Sequence, residues 1–166
     1  MLKSYGDLFM NNMEETKQRQ IAVIVNNALL NGGTNQLNSN LAHSCIYSDP
    51  LLFLKSKQDI ITIFALVGRY FAPTQSIHSV SLCQNVVMID VTTTFRWGLT
   101  FFTVPIPLRH VSSFTFDDKK KVAKIEVIWS FGDLCFHVPI FGPLYRNYVL
   151  PACGRAIATL GEKLVS

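Results

Sequence analysis

Alternation with a period of two dominates the middle of the chain. Three runs rich in β-branched and aromatic residues, 86–97, 108–116 and 122–131, follow one another, and Asp117, Asp118, Lys119 and Lys120 separate the last two. That order predicts strands of an antiparallel sheet with a hairpin at the acidic-basic turn. In the second run Leu108, His110, Ser112, Phe114 and Phe116 share one face, while Arg109, Val111, Ser113 and Thr115 share the other. In the third, Ile125, Val127 and Trp129 alternate with Lys124, Glu126, Ile128 and Ser130, which adds a second apolar wall. A bent sheet with one such wall encloses a cavity, and His110 and Ser112 fall in the middle of its greasy face.

Before the sheet the period changes to that of helices. Over residues 14–31 Ile21, Ile24, Val25, Ala28 and Leu29 recur at three-four spacing. Glu14 and Glu15 suit the positive end of that helix, and Asn31, Gly32 and Gly33 close it. Residues 34–40 read as a polar link and 41–44 as a helical turn. Cys45, Ile46, Tyr47 and Ser48 read as a short strand stopped at Asp49-Pro50. Ser56 is placed to cap a helix over residues 57–71, with Asp59 in its first turn and Ile60, Ile63, Phe64, Val67 and Phe71 as its buried stripe. Pro73 ends it, and residues 76–82 begin the sheet.

The chain therefore divides into a loose arm at 1–13, a folded domain at 14–133 and an apolar, proline-interrupted extension at 134–166. Pro139, Pro143, Arg146, Asn147 and Pro151 exclude a transmembrane span in the extension. Two readings of it stay open. An amphipathic helical segment packs over the sheet or against a second subunit, or Phe136, Phe141, Tyr145 and Tyr148 enter a lipid surface while Arg146 and Arg155 stay at the headgroups.

Composition sharpens this picture. Apolar residues make up 49% of the 166 and charged residues only 16%, with twelve Phe. That is more grease than one core of this size needs, which points to a ligand cavity, a dimer face or a membrane contact. The net charge of +4 is scattered apart from Lys119, Lys120 and Lys121, and no aromatic residues interleave with that triplet, so nucleic acid is not an expected partner. Cys45, Cys83, Cys135 and Cys153 lie far apart with no histidine at ligand spacing, so neither zinc nor any other metal is expected. Reduced thiols and the absence of an apolar leader in residues 1–20 suggest a cytoplasmic protein, with peripheral membrane contact through the extension.

The order of helices, a strand ending in Tyr47-Ser48-Asp49-Pro50, an Ile- and Phe-rich helix and a late hairpin running from Phe114-Thr115-Phe116-Asp117 into residues 121–129 resembles the nuclear transport factor 2-like superfamily. Gly132, Asp133, Pro139, Gly142 and Pro143 also look like a lipid-associated fungal and plant branch of it. The resemblance implies an α+β fold: N-terminal helices packed in a strongly bent antiparallel sheet, forming a cone with a pocket, here with a C-terminal amphipathic helical extension. Superfamily members include SnoaL-like proteins and enzymes such as ketosteroid isomerase, scytalone dehydratase and limonene epoxide hydrolase, which act on hydrophobic molecules without a cofactor. Others bind proteins, so the fold does not settle function. Carried over residue by residue, the isomerase's general base matches Asp49. Its acidic oxyanion donor falls at Ser112, and its first-helix tyrosine has no counterpart among residues 21–25.

The candidate catalytic set is thus Asp49 as base with His110 and Ser112 polarising a carbonyl. Each has a plainer alternative: Asp49 as a backbone cap, and His110 and Ser112 as a satisfied inner-face pair. Tyr47, Phe64, Trp97, Leu108, Phe114, Val127 and Trp129 are the expected pocket lining. Two functions compete, binding of a hydrophobic small molecule or lipid and cofactor-independent isomerisation or dehydration. A homodimeric interaction domain is the third reading.

Overall fold

A computed structural model describes residues 5–71, 73–99, 102–130, 141–149, 151–152 and 155, with the side chains of 5–12, 97–99, 102–104 and 141 outside that description. The chain forms two units, Met1–Trp129 and Ser130–Ser166.

In the first unit helix α1 (Tyr5–Asn31) is continuous from well before Glu14, because no proline interrupts its first turns. Ala22, Val25, Ala28 and Leu29 form its buried stripe. Residues 34–40, expected as a link, form helix α2 (Thr34–Asn40), whose lone apolar side chain Leu37 is completely buried and holds it in place. The expected helical turn at 41–44 is instead the beginning of strand β1 (Leu41–Ser48), with Leu41 and Cys45 directed into the core. A two-residue strand β2 (Phe53–Leu54) turns back on β1. Helix α3 (Lys57–Phe71) is capped as expected: the Ser56 hydroxyl accepts from the Asp59 N–H at 3.1 Å. Ile60 and Phe64 face inward, but Phe71 is exposed.

Strands β3 (Thr74–Cys83), β4 (Val86–Leu99), β5 (Phe102–Phe116) and β6 (Val122–Trp129) complete a six-stranded sheet in the order β2-β1-β6-β5-β4-β3. It is mixed rather than wholly antiparallel, since β1 runs parallel to β6 with Tyr47 opposite Ile125 and Ser48 opposite Glu126. The β5–β6 turn is closed by the Asp117 carboxylate accepting from the Lys121 N–H at 2.8 Å, with Lys120 at φ 59°.

Helices α1 and α3 cover the concave face of the sheet. Val87, Ile89 and Val91 of β4, Phe114 and Phe116 of β5, and Val122 and Ile125 of β6 form the core with Ala22, Val25, Ile60 and Phe64 from the helices. In the second unit the described elements are a short helix α4 (Phe141–Leu144) and a π-helical turn (Tyr145–Val149), with Leu144, Tyr148 and Val149 exposed. Among the described residues no helix is long and apolar enough to cross a membrane.

Candidate functional site

Burial along the concave face changes from one end of the strands to the other. On β6 Val122 and Ile125 are fully buried, whereas Val127 and Trp129 are half-buried. On β5 Phe114 and Ser112 are buried, while His110, opposite Trp129, is half-buried. On β4 Val87 through Thr93 point inward completely buried at every second position, and Phe95 is half-buried. One end of the sheet is sealed core; toward the other, Val127 and Trp129 of β6 together with His110 and Phe95 retain accessible surface, although Leu108 and Ile106 of β5 stay buried there.

A chain of polar side chains, with Asn26, Thr93 and Ser112 buried, leads from α1 to His110. Asn26 Nδ2 of α1 donates to Gln75 Oε1 of β3 at 3.0 Å, and Gln75 Nε2 donates to Thr93 Oγ1 of β4 at 3.4 Å. Thr93 Oγ1 lies 2.9 Å from His110 Nε2, and His110 Nδ1 lies 3.2 Å from Ser112 Oγ. Strand parity assembles the group, because His110 pairs with Val91 and Ser112 with Ile89, so the imidazole lies between Ser112 and Thr93 on the inward face. Burial lowers the His110 pKa from 6.5 to about 4, which Asp90 only partly offsets. The imidazole is therefore neutral at physiological pH, with one donor and one acceptor nitrogen. Among the described residues no carboxylate bonds to it, so the group orients and polarises rather than carrying charge.

Asp49 belongs to a different group. Its Oδ1 accepts from the N–H of Leu51 and of Leu52, both at 2.7 Å, and its Oδ2 accepts from the Tyr47 hydroxyl at 2.7 Å. Burial, and then the charge and hydrogen bond of Asp49, raise the Tyr47 pKa well above its usual range. Tyr47 in turn meets Phe64 edge to face, with ring centroids 4.9 Å apart. The structure thus joins His110 to Ser112 and Asp49 to Tyr47, with no described hydrogen bond between the pairs.

Of the expected lining residues, Tyr47, Phe64, Leu108 and Phe114 are buried and Val127 and Trp129 half-buried. The side chains of Trp97, Phe136 and Phe141 lie outside the described residues. In the second unit Tyr145 is half-buried, and Arg146, Tyr148 and Arg155 are exposed. Thr93, Gln75 and Asn26 were not anticipated from the sequence. Their signal was a polar residue at an apolar position: Thr93 continues the inward series Val87, Ile89, Val91, and Asn26 interrupts the stripe between Val25 and Leu29.

Other titratable groups have structural explanations. Asp90 and Arg109 form a two-pronged ion pair on the outer face, with Arg109 Nη2 2.7 Å and Nε 3.1 Å from the carboxylate. The hydrogen bond from Arg109 lowers the Asp90 pKa. Burial pushes the Cys45 thiol up to about 12, which leaves it unreactive. Among the described residues no group of three His, Cys, Asp or Glu side chains gathers as a metal site.

No protein-family model matches the sequence, and no curated protein matches it. Solved structures match in fold. An epoxide hydrolase of M. tuberculosis, described as LEH-like, is 15% identical, with 83% of this chain and 98% of that one covered and a TM-score of 0.66. A Shewanella putrefaciens protein described as a SnoaL-like polyketide cyclase is 14% identical, with 81% and 93% covered and a TM-score of 0.63. The epoxide hydrolase/cyclase-like enzyme SalBIII, which takes part in pyran ring formation in the polyether salinomycin, is 15% identical, with 72% and 95% covered and a TM-score of 0.62. Helices held in an open, bent sheet and these three likenesses agree: the chain has the nuclear transport factor 2-like fold.

Proposed function

We propose that the open end of the sheet binds a hydrophobic small molecule or lipid carrying one oxygen function. The observation that carries this reading is the neutral His110, held between Thr93 and Ser112 on a face otherwise made of Val, Ile, Leu, Phe and Trp. Apolar walls supply most of the affinity for such a ligand, and a few fixed polar groups orient it. Both imidazole nitrogens are bonded to hydroxyls, which leaves the Ser112 or the Thr93 hydroxyl, according to the tautomer, with a proton to offer a carbonyl or hydroxyl without the desolvation cost of a buried ion. Asp49 serves in this reading as a brace, since both carboxylate oxygens are engaged.

The test is organic extraction of protein purified from its host, together with Nile red uptake in solution. A defined apolar molecule in the extract, and uptake that falls in Val127→Asp and His110→Leu variants of unchanged urea midpoint, support the reading. Equal uptake by all three proteins overturns it.

A second reading, cofactor-independent acid-base chemistry, is favoured by the Ser112–His110 contact and by the hydrolase and cyclase descriptions of the structural neighbours. Here the Ser112 hydroxyl hydrogen-bonds the bound group, and His110 behind it takes or returns the proton. His110→Gln retaining ligand affinity while losing turnover of an epoxide or ketone panel is the expected result. Turnover unaffected by that change removes the enzyme reading.

A further inference from the structure

Asp49 and Tyr47 hold rigid a feature that the pocket does not use. Leu51, Leu52 and Phe53, three large apolar residues in succession, are 64%, 37% and 62% exposed. Exposed apolar side chains usually lie singly on a soluble surface or can fold back on it. These are adjacent, and the backbone that carries them is held in place. Asp49 Oδ1 accepts from the N–H of both Leu51 and Leu52, and the Asp49 N–H donates to the Leu52 carbonyl at 2.9 Å. Asp49 Oδ2 is held by Tyr47, which is wedged against Phe64 in the core. Beyond the turn, β2 ties Phe53 and Leu54 to Ser48 and Tyr47.

Register sets the direction of this turn. β1 is parallel to β6, with Ser48 opposite Glu126, so residues 49–52 continue past Ser48 in the direction of Val127 and Trp129. His110 is opposite Trp129. The exposed turn therefore projects from the same end of the sheet at which the concave face is accessible.

We propose that the turn at residues 51–53 is a wedge that seats the protein on a phospholipid surface, with the open end of the sheet turned toward the bilayer. Two observations favour lipid over a protein partner. The feature is convex, and three side chains are far less than the roughly 800 Å² per partner of a stable protein interface, whereas a few apolar side chains at the headgroup boundary suffice for interfacial attachment. The Lys55 ammonium lies 5.5 Å from the Phe53 ring centroid, which keeps a cation at headgroup level while its stem and the ring enter the apolar layer. Seating of this kind goes beyond the pocket reading and does not require it. If that reading holds, a lipophilic ligand passes between bilayer and pocket without crossing water.

The test is co-sedimentation of the full chain with vesicles of phosphatidylcholine and of phosphatidylcholine mixed with phosphatidylserine. Wild-type protein sediments with both, more strongly with the anionic mixture. Leu51→Ser combined with Phe53→Ser lowers partitioning by about tenfold or more, with an unchanged urea midpoint because both side chains are exposed. Lys55→Ala lowers it by about fivefold on the anionic mixture only. Wild-type protein left in the supernatant overturns the proposal. So does undiminished sedimentation of the double variant, which moves membrane contact to the C-terminal unit, and so does a native mass of two chains that the double variant halves. Nile red uptake without vesicles separates the two readings, because the wedge variant retains it and His110→Leu does not.

Discussion

His110 is the residue at which burial and acidity meet. Its native pKa of about 4 lies below the ordinary 6.5, so between those values the unfolded chain holds a proton that the folded chain refuses. Stability contributed through this residue is complete above pH 6.5 and is lost as pH falls toward 4, by roughly 2–3 kcal/mol. Urea midpoints at about pH 7 and pH 4.5 for wild type and His110→Gln check this. Wild type is expected to lose more on acidification, and parallel losses would show that the imidazole is not buried as described. Asp49 makes the complementary case. Asp49→Ala removes the acceptor from two backbone N–H groups and from Tyr47, at about 1–3 kcal/mol. Asp49→Asn keeps an oxygen for Leu51 and Leu52 and is expected to cost less than half of that in the same urea titration. A loss of turnover in Asp49→Asn with stability intact would return Asp49 to the catalytic role that its position before Pro50 suggested.

At the scale of elements, the end of α1 closely approaches the last turn of α3. A Cβ on Gly68 would stand 2.4 Å from the Gly32 backbone nitrogen and 2.6 Å from the Asn31 carbonyl carbon. Backbone rather than flexible side chain blocks it, so Gly68→Ala must separate the helices, at about 1–3 kcal/mol or more of stability. A thermal midpoint within a degree or two of wild type would contradict that packing. Whether their signals are local or tertiary decided which elements were legible in the sequence. α3 was readable because cap, stripe and stop are local, as Ser56, Ile60 with Phe64, and Pro73 show. α2 was not, because a polar seven-residue stretch folds only when Leu37 finds the core, which is tertiary information. Strand β5 was read only from Leu108, although it begins at Phe102 and includes Pro105 and Pro107. They are tolerated because β6 pairs only with His110–Phe116 of β5, so among the described residues its earlier half has a neighbour on the β4 side alone. The pairing of His110 with Ser112 was visible in strand parity. The contribution of Asn26 and Gln75 was not, because it depends on how α1 crosses β3.

For the molecule as a whole, the fall in burial along β6 divides labour between the two ends of the sheet, and the division can be measured. Phe114 sits completely buried among residues from helices and strands, so Phe114→Ala opens a cavity that its neighbours cannot close, and about 3–5 kcal/mol of stability is lost. Val127 is on the same face two positions beyond Ile125 but only half-buried, so Val127→Ala costs about 1 kcal/mol or less. If the open end is the binding surface, the order reverses for ligand. Nile red affinity falls more for Val127→Ala than for a core change of equal volume such as Val87→Ala, although Val87→Ala is the more destabilising. Urea titration and dye binding on the same three variants give both orders at once. Stability and affinity falling together would mean that the whole concave face is core, and that the grease in excess of a core's needs is used on the outside, where Leu51, Leu52 and Phe53 already stand exposed. Opposite orders would place a pocket and its apolar rim at one end of the sheet, with the sealed end serving as the rigid base that keeps His110 between its two hydroxyls.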